Sequence, residues 1–284
     1  LQSFLNKRGE NYQFEMSSPI TAEKSCSRLS THLTYGTISH RAVFQEATKK
    51  RDQIKHTNKN FAKSINSFLS RLHWRSHFIQ KLEDQPSIEH TSFIPVYDQI
   101  REKDEEKLEA WIEGKTGVHF IDACMIYLRN YGWINFRMRA MLASFASYNL
   151  WLDWRYFAPR LAALFTDFEP GIHYSQIQMQ SGTTGINTIR MYNPYKQAMD
   201  QDPLAKFIKS QIPEVKNFPP SFFHNPPKKS LNVNLFDNEF QKEIINVKET
   251  AQYARKKIFD IRKSQEHKIL AKNVYLKHGS RGRS

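Results

Sequence analysis

The sequence of 284 residues contains only two cysteines, Cys26 and Cys124, and no apolar run long enough to cross a bilayer. Two cysteines are too few for a disulfide framework or a cysteine-ligated iron–sulfur cluster. Among the 11 histidines, His73 and His77 stand four apart, but no third ligand accompanies them. The amino terminus lacks the charged-then-apolar pattern of a signal sequence. We therefore predict a soluble, cytoplasmic protein that binds no metal.

Glycine and proline are sparse, and acidic residues are outnumbered. There are 10 glycines and 12 prolines, and 28 acidic residues stand against 42 basic ones, which gives a formal net charge of +14. With 13% aromatic residues, this composition excludes a disordered chain and allows a substantial core. A basic surface attracts polyanions, of which nucleic acid is the leading candidate and a membrane surface the alternative.

Apolar positions recur at helical spacing in several segments, which we interpret as helices. Two other segments are predicted to lie at the surface. The charged run from Arg101 to Lys107 indicates a solvated face, and the proline-rich stretch after Pro213 indicates an extended connection that precedes a basic tail. The predicted helices span residues 60 to 82, 120 to 128, 137 to 164 with an interruption at 151 to 155, and 238 to 263.

The most informative stretch is residues 132 to 139, in which Arg137 and Arg139 follow a Gly-Trp break and precede an apolar run. Two residues apart on a helix, one guanidinium can point inward while its neighbour faces outward. A buried arginine needs an anionic partner. From these eight residues alone, an ordinary ion pair on an amphipathic helix is the simpler interpretation.

Four further segments change that interpretation, because their order and spacing resemble the cryptochrome/DNA photolyase family. They are residues 114 to 117, 120 to 125, 150 to 155 and 192 to 194. The resemblance extends over about residues 8 to 215 and implies an all-α, multi-helical domain that binds FAD non-covalently. This sequence shows no counterpart of the amino-terminal antenna domain of complete members, so we expect either a naturally short protein or a fragment of a longer one. We expect residues 1–215 to form the FAD-binding domain, and residues 216–284 to add an extended connection, a basic helix and a tail to the same domain.

The cofactor residues follow from the resemblance. Before it is considered, the hydroxyl-rich segment 25–30 is either a plain helix cap or a candidate anion site; in the family, the matching segment grips the FAD phosphates. The resemblance also implies that Asp167 pairs with the inward Arg139. The implied cofactor-binding residues are Tyr12, Cys26, Ser27, Arg28, Leu29, Ser30, Phe68, Arg71, Arg75, Phe136, Arg139, Asp167, Phe168, Glu169 and His173.

Three residues are candidates for a catalytic role by the same resemblance. Trp154 matches the middle tryptophan of the family's electron relay, and His173 matches the position beside flavin N5. Arg71 stands where repair enzymes typically have a glutamate. Because an arginine accepts no hydrogen bond, this departure places repair by the usual site chemistry in doubt.

Three further departures concern tryptophans of the family. Ile177 replaces the flavin-proximal relay tryptophan, Arg101 occupies the outermost relay position, and Met179 replaces the aromatic wall that stacks on the lesion. The standard three-tryptophan relay therefore cannot operate in this chain.

The implied partner is DNA, damaged or single-stranded. The matching nucleic-acid-binding positions are Trp74, Arg75, Arg137, Met179, Arg190 and Gln197. The first function that the resemblance implies is light-driven electron transfer from reduced flavin to repair pyrimidine dimers, which would make the protein a photolyase-like carbon–carbon lyase. The alternative is a cryptochrome-like blue-light photoreceptor without repair activity. We expect a monomer, with an antenna domain or a protein partner as further contacts.

Overall fold

The computed structural model describes residues 1–225 and 242–279, and within these ranges the chain is helical with no strand. The all-α prediction is therefore confirmed. The helices are α1 (Tyr12–Glu15), α2 (Pro19–Ser25), α3 (Ser30–Thr34), α4 (His40–Ile54), α5 (Lys59–Asp84), α6 (Glu105–Glu113), α7 (His119–Tyr131), α8 (Phe136–Ser144), α9 (Trp154–Ala162), α10 (Pro170–Ser181), α11 (Pro194–Gln201), α12 (Lys206–Gln211), α13 (Pro220–Phe223), α14 (Val247–Lys263) and α15 (Gln265–His278).

The longest helix is α5, with 26 residues, and it contains the predicted helix 60–82. It begins where the Asn58 side chain accepts a hydrogen bond from the backbone N–H of Phe61 at 3.0 Å, which satisfies one of the free amides of the first turn. Its buried face carries Ile65 and Phe68 at helical spacing. Helix α10 packs directly on α5 at Gly171, where a Cβ would lie 2.7 Å from the Cα of Ile79, so the close approach requires glycine.

The predicted interruption of the long central helix is confirmed. Helix α8 passes into a π-helical turn at Phe145–Asn149, and α9 starts at Trp154 after Trp151 adopts a left-handed backbone with φ of +58°. A non-glycine residue rarely takes this conformation, which is incompatible with an α-helix, so the helix is interrupted at Trp151. The main hydrophobic core forms where α7, α8 and α9 meet, around Phe120, Phe145 and Phe157.

The charged segment after α5 is less exposed than its composition indicates. Helix α6 forms after an Asp104 cap, but Arg101 is only 7% exposed. The predicted solvated face is therefore wrong for Arg101, because its guanidinium bonds two backbone carbonyl oxygens inside the protein, those of Ser147 and Ser181.

The carboxyl-terminal region contains two helices where the sequence predicts one. Residues 242–246 are not helical, α14 covers 247–263 of the predicted 238–263, and α15 follows it. The Asn149 side chain donates to the Val247 carbonyl oxygen at 3.1 Å, which attaches α14 to the core. Residues 238–241, most of the predicted connection and the last five residues of the tail lie outside the described residues. No helix in the described ranges has the length and apolar character needed to cross a membrane.

Candidate functional site

A cavity of about 840 Å³ opens between α5, α8 and α10, with the loop before α3 on its far side. This volume lies within the usual range of ligand-binding pockets, about 300–1,000 Å³. The cavity brings together almost all of the predicted cofactor residues from distant parts of the chain. Those lining it are Tyr12, Cys26, Ser27, Arg28, Ser30, Phe68, Arg71, Arg75, Phe136, Arg139, Asp167, Phe168, Glu169 and His173.

The ion pair between Arg139 and Asp167 lies in the wall of this cavity. Nη1 of Arg139 donates to Oδ1 of Asp167 at 3.0 Å, and Nη2 donates to Oδ2 at 2.9 Å. Burial alone would raise the pKa of Asp167, but the charge and hydrogen bonds of Arg139 lower it below its usual value. The guanidinium also lies 4.2 Å from the ring centre of Phe165. The anionic partner expected for Arg139 is therefore present and ionised.

A second ion pair joins α5 to the residue that precedes α10. Nη2 of Arg75 lies 3.3 Å from Oε2 of Glu169, and both side chains are at most 20% exposed. Glu169 is the N-cap residue of α10, and Pro170 occupies the first helical position, where its missing N–H leaves no donor unsatisfied. The two pairs therefore hold α5, α8 and the start of α10 around one cavity.

Arg8 binds the end of α2 and the loop that follows it. Nη1 of Arg8 donates to the carbonyl oxygens of Lys24 at 2.8 Å and Cys26 at 2.7 Å, and Nη2 donates to that of Ser27 at 3.2 Å. Arg28 follows in a left-handed conformation with φ of +60°, and its guanidinium lies 3.9 Å above the ring of Trp133. Successive amides around a left-handed residue can form an anion-binding concavity. The predicted phosphate segment, residues 25–30, thus connects the end of α2 to the start of α3 and contacts the cavity, and no side chain caps α3.

His173 lines the cavity and is 9% exposed. Burial lowers its pKa to about 4, so the imidazole is neutral at physiological pH. Its ring packs edge-on against Phe168, with centroids 5.4 Å apart. The site therefore places a neutral imidazole beside an aromatic ring.

The rim of the cavity is basic and aromatic. Five of the predicted nucleic-acid residues line it: Trp74, Arg75, Arg137, Met179 and Arg190. Trp74 is 42% exposed and stacks on Phe78 with centroids 5.5 Å apart. Arg137 and Arg139 both line the cavity; Arg139 pairs with Asp167, whereas Nε of Arg137 has no hydrogen-bond partner among the described residues.

Three predicted site residues do not line the cavity. Leu29 packs into the hydrophobic cluster that contains Phe4 and Phe68, and this packing attaches the loop before α3 to the core. Gln197 is buried in α11. Trp154 is 2% exposed, and its Nε1 donates to Ser92 Oγ at 2.9 Å. The ring centroids of Trp154 and Tyr174 are 6.3 Å apart, and those of Tyr174 and His173 are 5.2 Å apart. The ring of Tyr174 therefore lies between Trp154 and His173 in the cavity wall.

The structure adds site residues that sequence reasoning did not identify. Asn135 donates to the carbonyl oxygens of Met16 and Ser17 at 3.1 and 2.7 Å, which fixes another part of the cavity wall. Tyr275 and His278 of α15 also line the rim. Asn135 lies inside the informative octapeptide and could have been considered, whereas no local signal marks the end of α15 as part of the site.

The cavity fits the dinucleotide that the resemblance implies. Arg137 Nε and Asn135 Oδ1 are buried polar atoms with no hydrogen-bond partner in residues 1–225 and 242–279, and both residues line the cavity. A buried polar group needs a hydrogen-bonding partner, which a polar ligand can supply. The mixture of aromatic side chains, cations and backbone amides suits a planar ring joined to phosphates. In contrast, the described residues contain no cluster of three metal-ligating side chains.

Comparison with known proteins agrees with this geometry. Residues 68–267 match the family described as the FAD binding domain of DNA photolyase. A deoxyribodipyrimidine photo-lyase of Alkalihalophilus pseudofirmus is 27% identical over 233 residues, which cover 81% of this chain and 47% of that protein. Cryptochrome-2 of Arabidopsis thaliana is 30% identical over 284 residues, which cover 93% and 44% respectively.

A solved structure shows the same fold. The archaeal photolyase from Sulfolobus tokodaii, solved with two FAD molecules, matches with a TM-score of 0.71 and 29% identity, over 91% of this chain and 55% of that one. The chain spans about half the length of the curated relatives that it matches. From the matched family, the fold and the composition of the cavity, this chain belongs to the FAD-binding domain family of DNA photolyases.

Proposed function

We propose that this FAD-binding domain acts in the light-driven repair of pyrimidine dimers in DNA. The observation that carries the proposal is the excess of positive charge around the cavity. Arg71, Lys81, Arg137 and Arg190 all line it, and none of the four has a carboxylate within 4 Å among the described residues. The two acids of the cavity, Asp167 and Glu169, are already paired. The free charge is therefore available to polyanionic DNA.

The rim also offers a surface for a base drawn out of the duplex. Trp74 presents an exposed ring, and stacking of a base on an aromatic side chain contributes about 1–3 kcal/mol. Met179 adds a flexible apolar contact where many photolyases have a second ring. Extrusion of a base costs a few kcal/mol and less at a damaged site, so these contacts favour a lesion over intact duplex.

The residues of this chain hold the cofactor and control access to it. FAD, when bound, supplies the light-absorbing group and the electron for the reaction. Arg139 and Asp167 order the wall of the cavity, and the loop held by Arg8 offers amides and Arg28 to the phosphates. His173 stays neutral, so it adds no charge beside the flavin ring of bound FAD.

A photoreceptor without repair activity is the second candidate, and Arg71 favours it. The side chain of Arg71 lines the cavity, and its positive charge acts on the hydroxyl of Tyr12. An arginine cannot share a proton with a lesion as a carboxylic acid can. A domain with this side chain could still bind FAD and respond to light.

The test is to illuminate the FAD-loaded, chemically reduced protein with an oligonucleotide that contains a thymine dimer. We expect loss of the dimer in the light and none in the dark. An intact dimer in this experiment, together with reduction of the flavin by light in a second sample that starts with oxidised FAD, would reject repair in favour of the photoreceptor. Binding of the same oligonucleotide, measured separately by its salt dependence, tests the basic rim independently of catalysis.

We also propose that the carboxyl-terminal helices belong to the same domain as residues 1–215. The contact of Asn149 with Val247 and the hydrogen bond of Tyr97 with His267, at 2.9 Å, support this assignment. Limited proteolysis of the purified chain tests it, because a single domain should resist cleavage between residue 247 and residue 278 as strongly as within α5.

A further inference from the structure

Arg101 is a buried cation that forms no ion pair with a carboxylate of the described residues. Its Nε donates to the carbonyl oxygen of Ser147 at 2.9 Å, and its Nη2 donates to that of Ser181 at 2.7 Å. Its Cζ lies 4.9 Å from the ring centre of Trp151. Among the described residues no carboxylate lies within 4 Å of the guanidinium. The carboxylate of Asp153 interacts electrostatically with Arg101, but it forms its ion pair with Arg155, at an N···O distance of 2.5 Å. Buried charges are normally paired, so this one requires an explanation.

Three hydroxyl groups on residues that contact this guanidinium also lack a hydrogen-bond partner within the part of the chain that the structure describes. They are Ser147 Oγ, Tyr148 Oη and Ser181 Oγ, and Arg101 Nη1 is the fourth such atom. All three hydroxyl residues are at most 1% exposed. Arg101 bonds the backbone of Ser147 and Ser181, and its Cζ lies 5.6 Å from the ring centre of Tyr148. The four atoms therefore all belong to Arg101 or to residues that contact it, and each of them can donate a hydrogen bond.

The hydroxyl of Tyr148 closes this region against the end of α10. A Cβ on Gly182, which has φ of +73°, would lie 2.4 Å from Tyr148 Oη. Burial raises the pKa of Tyr148 to about 12, despite the opposing charges of Arg101 and Arg262. Tyr148 therefore remains a neutral donor and does not supply the missing negative charge.

Arg262 adds a second positive charge on the same side. Its Nη2 donates to the carbonyl oxygen of Asn187 at 2.8 Å, and its Nε is buried without a protein partner. A set of donors next to two cations is complementary to an anion. A water molecule could satisfy the donors but would leave the charge of Arg101 uncompensated.

We propose that Arg101, Ser147, Tyr148 and Ser181 form a buried binding site for one halide ion, which is chloride under ordinary conditions. The ion would join the π-helical turn to the end of α10. Residues 186–188 of the following loop line the FAD cavity, so occupation of the site would stabilise one wall of that cavity. The proposal does not depend on the reaction proposed above.

The test uses the full chain in sodium chloride, sodium bromide or sodium gluconate at constant ionic strength. Both halides should raise the Tm along a saturating curve, whereas gluconate, which is too large to enter, should not. Tyr148→Phe and Ser181→Ala each remove one donor, so the halide concentration at half-saturation should rise about tenfold or more. Ser175→Ala is the matched control: this hydroxyl is on the same helix, 2% exposed and without a partner, and its loss should leave the halide response unchanged.

A crystal grown in bromide gives an independent result if a variant fails to fold. An anomalous peak within hydrogen-bonding distance of Arg101 Nη1 would support the proposal. Equal Tm values in halide and gluconate, with no such peak, would show a water site only and overturn it. The proposal would also be overturned if Tyr148→Phe, Ser181→Ala and Ser175→Ala all kept the wild-type dependence of Tm on halide concentration. That result would indicate that the ions act elsewhere on the surface.

Discussion

Nε2 of His173 lies 3.0 Å from the backbone carbonyl oxygen of Ala158. A carbonyl oxygen can only accept a hydrogen bond, so we assign the proton of the neutral ring to Nε2 and the lone pair to Nδ1. From the sequence alone, this imidazole could have donated, accepted or been protonated. Its contact with α9 leaves Nδ1 as the ring nitrogen that can accept a hydrogen bond.

The first prediction concerns the acid stability that His173 controls. Its pKa is about 4 in the folded protein and 6.5 in an unfolded chain, so the unfolded state binds more protons between these values. The stability due to the neutral ring is present above pH 6.5 and is lost as the pH falls towards 4, by up to about 3 kcal/mol. Urea unfolding of His173→Asn should therefore show a smaller loss between pH 7 and pH 4.5 than wild type. His90→Asn, at an exposed position, should keep the wild-type loss; equal losses in all three proteins would contradict the prediction.

The second prediction concerns the pair of Arg139 and Asp167. Asp167→Asn keeps the shape of the side chain but leaves the guanidinium without its counter-charge, which should cost about 3 kcal/mol in free energy of unfolding. FAD should also be lost during gel filtration, which the ratio of flavin to protein absorbance measures. Glu109→Gln breaks an exposed pair with Arg160 and should change stability by about 0.5 kcal/mol or less. Full flavin occupancy in Asp167→Asn would show that the pair does not support the cofactor.

The third prediction assigns a positioning role to Arg8, whose guanidinium bonds the carbonyl oxygens of Lys24, at the end of α2, and of Cys26 and Ser27 in the loop that follows. Arg8→Met removes these charge-assisted hydrogen bonds, so the loop should lose its fixed shape and the Kd for FAD should rise about tenfold or more. Fluorescence titration of the apoprotein measures this change. Riboflavin lacks phosphates, and its affinity should stay unchanged, as should the FAD affinity of the exposed neighbouring variant Lys7→Met. Equal losses for FAD and riboflavin would indicate general unfolding instead.

The fourth prediction separates a redox role of Trp154 from a packing role. Trp154→Phe keeps an aromatic ring but leaves Ser92 Oγ without its donor, which should cost about 1 kcal/mol in stability. FAD binding should be unchanged because Trp154 does not line the cavity, whereas reduction of the bound flavin by light should be slower. Trp111→Phe, at another fully buried tryptophan, is the control for packing. An unchanged rate of photoreduction would leave Trp154 with a structural role only.

The sequence predicted the elements that depend on local patterns. The helical spacing of Phe61, Ile65 and Phe68 located α5 to within two residues at each end. An apolar period sustained over several turns rarely occurs outside a helix, so it is a strong signal. The partner of Arg139 was also predicted, since the order of separated motifs identified the family and the family placed Asp167. The second carboxyl-terminal helix was missed because α15 has a weak apolar period and follows α14 after a single residue.

By itself, the sequence determined that this protein is helical and basic and that it belongs to a flavin-binding family, because composition, periodicity and motif order are properties of the chain. Tertiary structure alone decided that Arg101 is buried, that Leu29 and Trp154 lie behind the cavity, and that His278 reaches its rim. These outcomes depend on contacts between residues far apart in the chain. The residues next to a charged side chain in the sequence do not indicate whether backbone carbonyl oxygens from distant segments will accept its hydrogen bonds inside the fold.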